Sequence, residues 1–175
     1  MTPHHFSVER LETPTGPMLI VTDNEDRLRA VDWEDHKPRM LKLLSRHYGV
    51  EGFRLNERTH PSAARKALQA YFEGDLNAIV DLPVATNGTD FQRKAWAALR
   101  RIPCGQTRTY GAQATDVGQP KGARAVGLAN GSNPIAIVVP CHRVIGANAS
   151  LTGFGGGLDR KRWLLAHEKA LLKCE

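Results

Sequence analysis

Cys141 and His142 stand side by side in this sequence, and together they are the residues whose types could do chemistry. A thiolate is the reactive form of cysteine, and near neutral pH it forms only where a base or a positive field draws the proton off. His142 could be that base, directly or through a water. A histidine in this role needs a third group on its other ring nitrogen, and the acidic candidate downstream is Glu168, in a helix-like segment over 160–172. The plainer reading is a buried cysteine beside a hydrogen-bonded histidine, since both occur in ordinary cores. The apolar, β-branched run 135–139 leads into the pair. It predicts a short strand buried on both faces, ended by Pro140, which cannot donate to a ladder.

The elements around this pair follow from caps and periodicity. Thr89 with Gln92 makes a capping box for a helix whose Phe91, Ala95, Trp96 and Leu99 share a face, and Pro103 and Gly105 end it in a turn. Cys104, at that turn, reads as structural. Residues 111–117, the turn Gly118-Gln119-Pro120 and residues 121–130 then form a helix-turn-helix pattern. Its second helix is rich in small residues, Gly122, Ala123, Ala125, Gly127 and Ala129 among them. They either permit close helix packing or let the helix approach a narrow surface. A major-groove reader would present several Arg, Asn or Gln side chains to base edges, and this helix offers only Lys121, Arg124 and Asn130. Arg124 is the one long planar cation among them, and any arginine facing DNA can serve as a phosphate contact.

Ala85 to Gly88 has the composition of a linker, and the chain before it reads as a small α/β domain. Met18–Thr22 and Leu28–Trp33 form a predicted hairpin, 38–48 and 62–72 predicted helices ended by Gly49 and Gly74, and 79–84 a further strand. No catalytic constellation falls in this half, and His4 and His5 alone do not make a metal site.

The 175 residues can hold one ordinary domain or two small ones. Residues 1–89 carry 11 Lys and Arg against 13 Asp and Glu, a net of −2, so the remaining 13 against 5 give 90–175 a net of +8. A one-sided excess is either a solvated face or the footprint of a polyanion such as nucleic acid. Cys104, Cys141 and Cys174 are too widely spaced for a disulfide framework or a Cys-x-x-Cys metal pair, so reduced thiols and no metal are expected. No apolar stretch approaches the ~20 residues of a membrane span, and the first five residues lack a signal-peptide pattern, which points to the cytoplasm.

Ile102-Pro103-Cys104-Gly105 with Tyr110, Ala123-Arg124-Ala125-Val126-Gly127, Asn133-Pro134, Pro140-Cys141-His142-Arg143-Val144, the glycine-rich loop 153–157 and Trp163-Leu164-Leu165 with His167-Glu168 stand in one register. In order and spacing they resemble the O6-alkylguanine-DNA alkyltransferases, the methylated-DNA–protein-cysteine methyltransferases, in particular the bacterial Ogt-type members. The resemblance is dense from Thr89 to Glu168 and weaker before it. It implies an α+β protein of two domains: a ribonuclease-H-like α/β domain over 1–85 and a mostly helical, winged-helix-type DNA-binding domain over 89–175. It also implies repair by direct damage reversal without a cofactor. O6-alkylguanine, and O4-alkylthymine with it, would be flipped out of duplex DNA and its alkyl group transferred irreversibly to Cys141.

The matched residues take roles by the same resemblance. His142 and Glu168 would activate Cys141, Asn133 would tie the active-site turn together, and Tyr110 would donate to a ring nitrogen of the base. Pro140, Val144, Phe154, Gly155 and Gly156 would shape the base pocket, and Lys121, Ala123, Arg124, Ala125 and Gly127 would meet DNA, with the small-residue helix in the minor groove. Phe154 stands where many relatives carry Tyr, which removes a hydroxyl and keeps the packing. From the residues alone, Tyr110 reads as a core aromatic, and the glycine-rich loop could cradle a phosphate. The expected partner is double-stranded DNA with alkylated bases, met by a monomer and not by a membrane protein. A non-catalytic lesion sensor would lack the cysteine, a helix-turn-helix regulator would leave the Cys-His-Glu set idle, and a thiol hydrolase would need no DNA.

Overall fold

The computed structural model describes residues 2–170. Cys174 and the end of the expected 160–172 helix lie outside the described residues. The hairpin forms as predicted: strands β2 (Met18–Thr22) and β3 (Leu28–Trp33) pair antiparallel, and β2 pairs antiparallel with β1 (His4–Leu11). The hairpin turn is held by Asp23, whose Oδ1 accepts from the backbone N–H of Glu25 and Arg27 at 2.9 and 3.0 Å. β4 (Phe53–Glu57) adds to the far side of β1 in parallel, so the sheet order is β3-β2-β1-β4. β1 and β4 escape the sequence reading because each offers only two alternating apolar positions, Phe6 and Val8 in β1 and Phe53 and Leu55 in β4. Glu9 of β1 is buried only because its carboxylate accepts from the Ser62 backbone N–H at 2.8 Å and from the Ser62 hydroxyl.

Helix α1 (Lys37–Tyr48) starts with a proline in its first turn, where the missing N–H is no loss, and ends at Gly49, whose φ of 87° favours glycine. Its Met40 and Leu44 close a core with Phe6, Leu19, Val21 and Ala30. Helix α2 (Ala63–Phe72) is capped by the Ser62 hydroxyl, which accepts from the Arg65 N–H at 3.1 Å.

Two expected strands are absent. Residues 79–84 form turns, and only Val84 bridges to Leu28, because Pro83 within the run removes a ladder donor. The run 135–139 is buried as expected but makes a single parallel bridge, Val31 to Ile135. Ile137 takes a φ of 71°, a conformation costly for a β-branched residue, and the extended chain ends there. Burial without periodicity marks a run as interior and does not say whether a ladder partner exists.

The chain folds as two units: one runs to Asn87 and takes in Pro134–Val138, and the other comprises Gly88–Asn133 and the chain from Val139. In the second, α3 (Asp90–Arg100) begins with the predicted capping box of Thr89 and Gln92. A two-residue strand β5 (Arg108–Thr109) leads into α4 (Tyr110–Asp116), and α5 (Ala123–Gly131) follows a turn that includes Lys121. After a 3-10 turn, Cys141–Arg143, strand β6 (Val144–Ile145) pairs in parallel with β5. Helix α6 (Leu158–His167) ends one residue before Glu168, which is therefore the C-cap residue and not part of the helix interior. With these elements the fold is α+β, a four-stranded mixed sheet with helices followed by a mostly helical unit.

Candidate active site

Cys141 opens the 3-10 turn and is half-buried. Its backbone N–H donates back to Val139 O at 2.9 Å, a tight turn that ends the apolar run. The Asn133 amide holds this turn: Nδ2 donates to Val139 O at 2.8 Å and lies 3.4 Å from Cys141 Sγ. Asn133 therefore fixes the backbone on one side of the thiol and offers the sulfur a hydrogen bond, which favours the thiolate.

His142 is fully buried, and its Nε2 lies 2.8 Å from Glu168 Oε2. Arg143 grips the same carboxylate, Nε to Oε1 at 2.8 Å and Nη2 to Oε2 at 3.1 Å, while its Nη1 donates to Ile102 O at 2.7 Å. Burial alone would raise the Glu168 pKa, but His142 and Arg143 outweigh it and hold the carboxyl far below the usual range. For His142, burial wins over the pull of Glu168, aided by the positive Arg143 and Lys161, and its pKa is lowered. At neutral pH the pair is thus a carboxylate and a neutral imidazole. Nε2 then carries the proton and donates to Glu168, which leaves Nδ1 as a lone-pair acceptor. Nδ1 is buried and has no hydrogen-bond partner among the described residues.

Lys161 was not foreseen. It is fully buried in α6, where Nζ donates to Val144 O at 2.6 Å and Thr152 O at 2.9 Å. Burial pulls its pKa down to about 8, opposed by the charge of Cys141. The Tyr110 hydroxyl, at the start of α4, donates to the same Thr152 carbonyl at 3.2 Å, and burial raises its pKa. One loop carbonyl therefore joins the phenol and the ammonium. The sequence signal was available: Lys161, Leu164, Leu165 and Glu168 fall at i, i+3, i+4 and i+7, the spacing of an inward face. Arg143, directly after His142 in the chain, gives no sign by residue type alone that it turns inward to a carboxylate.

Val144 and Pro140 are buried, Gly156 is buried, Phe154 is half-buried and Gly155 is exposed. The Cys104 thiol is pushed up by burial and by the Glu168 carboxylate beside it, which disfavours its thiolate. On α5, Arg124 and Ala125 are exposed, Ala123 and Gly127 half-buried, and an added Cβ on Gly127 would stand 3.7 Å from the Tyr110 ring. Helices α4 and α5 are locked by a reciprocal amide pair. Gln113 Nε2 donates to Asn130 Oδ1 at 2.9 Å, Asn130 Nδ2 to Gln113 Oε1 at 2.8 Å, and both side chains are buried.

A buried Glu-His pair that leaves a basic nitrogen next in sequence to a cysteine, on a unit with a helix-turn-helix, defines a thiol-bearing protein of the α+β class. Two family models match it, the 6-O-methylguanine DNA methyltransferase ribonuclease-like domain over residues 9–86 and the DNA binding domain of the same family over 90–170. The chain is 53% identical over 164 residues to a methylated-DNA–protein-cysteine methyltransferase of Shigella flexneri, covering 94% of this chain and 96% of the relative. It is 47% identical over 157 residues to one of Methanosarcina acetivorans, covering 90% and 94%. The crystal structure of Mycobacterium tuberculosis OGT in complex with DNA superposes with a TM-score of 0.75 at 40% identity, covering 94% of this chain and 92% of that one. The chain belongs to the methylated-DNA–protein-cysteine methyltransferase family, enzymes of direct-reversal DNA repair.

Proposed function

We propose that Cys141 is the alkyl acceptor and that the protein acts as a monomer on alkylated bases, O6-alkylguanine and O4-alkylthymine, flipped from duplex DNA in the cytoplasm. Residues 89–175 carry the reaction and residues 1–85 the structural domain. The supporting observation is the buried Glu168–His142 contact: through Nε2 it fixes the His142 tautomer, and that leaves Nδ1 a buried base with no partner among the described residues. His142 takes the Cys141 proton, through a bridging water, as the sulfur is desolvated. The S–C bond forms as the alkyl C–O6 bond breaks, and the electron pair stays on the purine. Tyr110 donates to the ring nitrogen at the minor-groove edge while this charge develops, and the released guanine takes up one proton, balancing the one lost by the thiol. Asn133 holds the turn, and Pro140, Val144, Phe154, Gly155 and Gly156 shape the pocket. Helix α5 enters the minor groove with Arg124 at the lesion, flanked by Lys121, Ala123, Ala125 and Gly127. The basic second half supports this choice of domain, and no helix among the described residues is long and apolar enough to cross a membrane.

The test is duplex DNA carrying a labelled O6-methylguanine. Label is expected on the peptide holding Cys141, and Cys141→Ala should take up none while still binding the duplex. Label released to solvent, or found on Cys104, would refute the assignment.

A further inference from the structure

Helix α5 exposes one large apolar side chain, Leu128, with 69% of its surface in water. Val126, Ala129 and Asn130 turn to the interior. Leu128 follows Arg124 by four residues, so the two share one helix face. The rest of that face is short: Ala125 is exposed, and Gly131 is exposed with open space where a Cβ would stand. Arg124 and Leu128 are thus the two side chains of α5 that project from its exposed face by more than a methyl group. Single exposed leucines are ordinary on protein surfaces. The register with Arg124, on a face otherwise kept bare, is what gives this one a use.

We infer that Leu128 is a minor-groove contact that favours lesions flanked by A·T pairs. The inference rests on the proposed docking of α5. Four residues of helix advance about 6 Å from Arg124, roughly two base-pair steps at about 3.4 Å each. There the groove floor differs between pairs: A·T presents only the acceptors of adenine N3 and thymine O2, whereas G·C adds the exocyclic amino group of guanine. Leu128 has no acceptor to offer that amino group. Pressing an isobutyl group against it would strip a donor of water without replacing the hydrogen bond, and the amino group would also hold the side chain off the floor. An A·T floor lacks the projecting group, and the leucine methyls can reach it and the sugar walls. Apolar side chains serve minor-groove proteins in this way.

The experiment measures single-turnover transfer at subsaturating protein from two duplexes. They carry the same O6-methylguanine and differ in having A·T or G·C at the two pairs on each side. The wild-type protein should repair the A·T-flanked lesion several-fold faster. Flanking pairs also alter how easily a duplex opens, so the variant decides. Leu128→Ala, which removes only exposed atoms and should unfold at the wild-type temperature, is expected to shrink that ratio with the salt slope of binding unchanged, because no phosphate contact is lost. A ratio identical in Leu128→Ala and wild type, equal wild-type rates on the two duplexes, or a reduced salt slope in the variant would overturn the inference while leaving the proposed function intact. Failure of the wild type to accept methyl from either duplex would overturn the proposed function itself.

Discussion

Among the described residues, Glu168 is a buried carboxylate shared by three nitrogens, two from Arg143 and one from His142. His142 and Arg143 keep the carboxylate ionised, and the ionised carboxylate keeps the proton of His142 on Nε2. Glu168→Gln should therefore slow transfer and shift the rate-versus-pH profile to higher pH, since an amide supports a less basic Nδ1 that draws the proton off Cys141 less well and so raises the apparent thiol pKa, with duplex affinity little changed. An unshifted profile would mean that the relay is misassigned. Lys161 offers a second test. Its pKa falls from 10.5 in the unfolded chain to about 8 in the fold, so between these values the unfolded chain holds the extra proton and stability rises with pH. The charged form is thus disfavoured by about 3 kcal/mol at pH 7. Compared with Lys161→Met, the wild type should gain roughly that much unfolding free energy between pH 7 and 10.5, measured by denaturant titration at each pH. Because the ammonium also acts on Cys141, the same variant should raise the apparent thiol pKa seen in alkylation rates.

At the scale of elements, α5 is useful only if its angle to α4 is fixed, and the Gln113–Asn130 pair fixes it with two buried hydrogen bonds. Asn130→Ala would strand the Gln113 amide, which retains only Ala95 O at 3.2 Å. The expected destabilisation is about 1–3 kcal/mol, and a double-mutant cycle with Gln113→Leu should recover much of it. Arg124 tests what α5 does. As a wedge that fills the gap of the flipped nucleotide, its loss in Arg124→Ala should slow duplex repair strongly and affect a substrate with an already unpaired lesion much less. As a phosphate contact, its loss would weaken binding to all DNA alike and lower the salt slope by about one. Parallel rates and affinities on paired and unpaired substrates decide between the two.

For the whole molecule the chemistry implies one use per chain. A thioether on Cys141 is not reversed by thiol–disulfide exchange, which acts on S–S bonds. The Cys104 thiol, raised by burial, is not poised to relieve it. Mass spectrometry after incubation with excess lesion should find one alkyl group per molecule and no further uptake. Sustained turnover would show that the alkyl group leaves again. The uneven charge, −2 over residues 1–89 and +8 over 90–175, predicts that most of the salt dependence of DNA binding arises in the second half. Charge-reversal variants on each half, titrated against salt, measure that share.

Local chemistry was determined by the sequence itself. The Thr89–Gln92 capping box, the β2–β3 hairpin and α1 with its terminal Gly49 each depend on hydrogen bonds and apolar spacings within a few residues, so their residue types suffice. Cys141, His142 and Glu168 could be named as candidates from type alone. Only the tertiary structure decided that Nε2 faces Glu168 and Nδ1 does not, that Arg143 shares the carboxylate, and that Lys161 lies buried on two carbonyls. It also decided that 135–139 and 79–84 make single bridges instead of strands, and that β4 joins β1. The physical reason is common to all of these. A strand exists where a distant segment supplies its ladder, and an arginine or lysine can be buried where distant oxygens accept its protons, so residue type limits the choices and long-range partners make them.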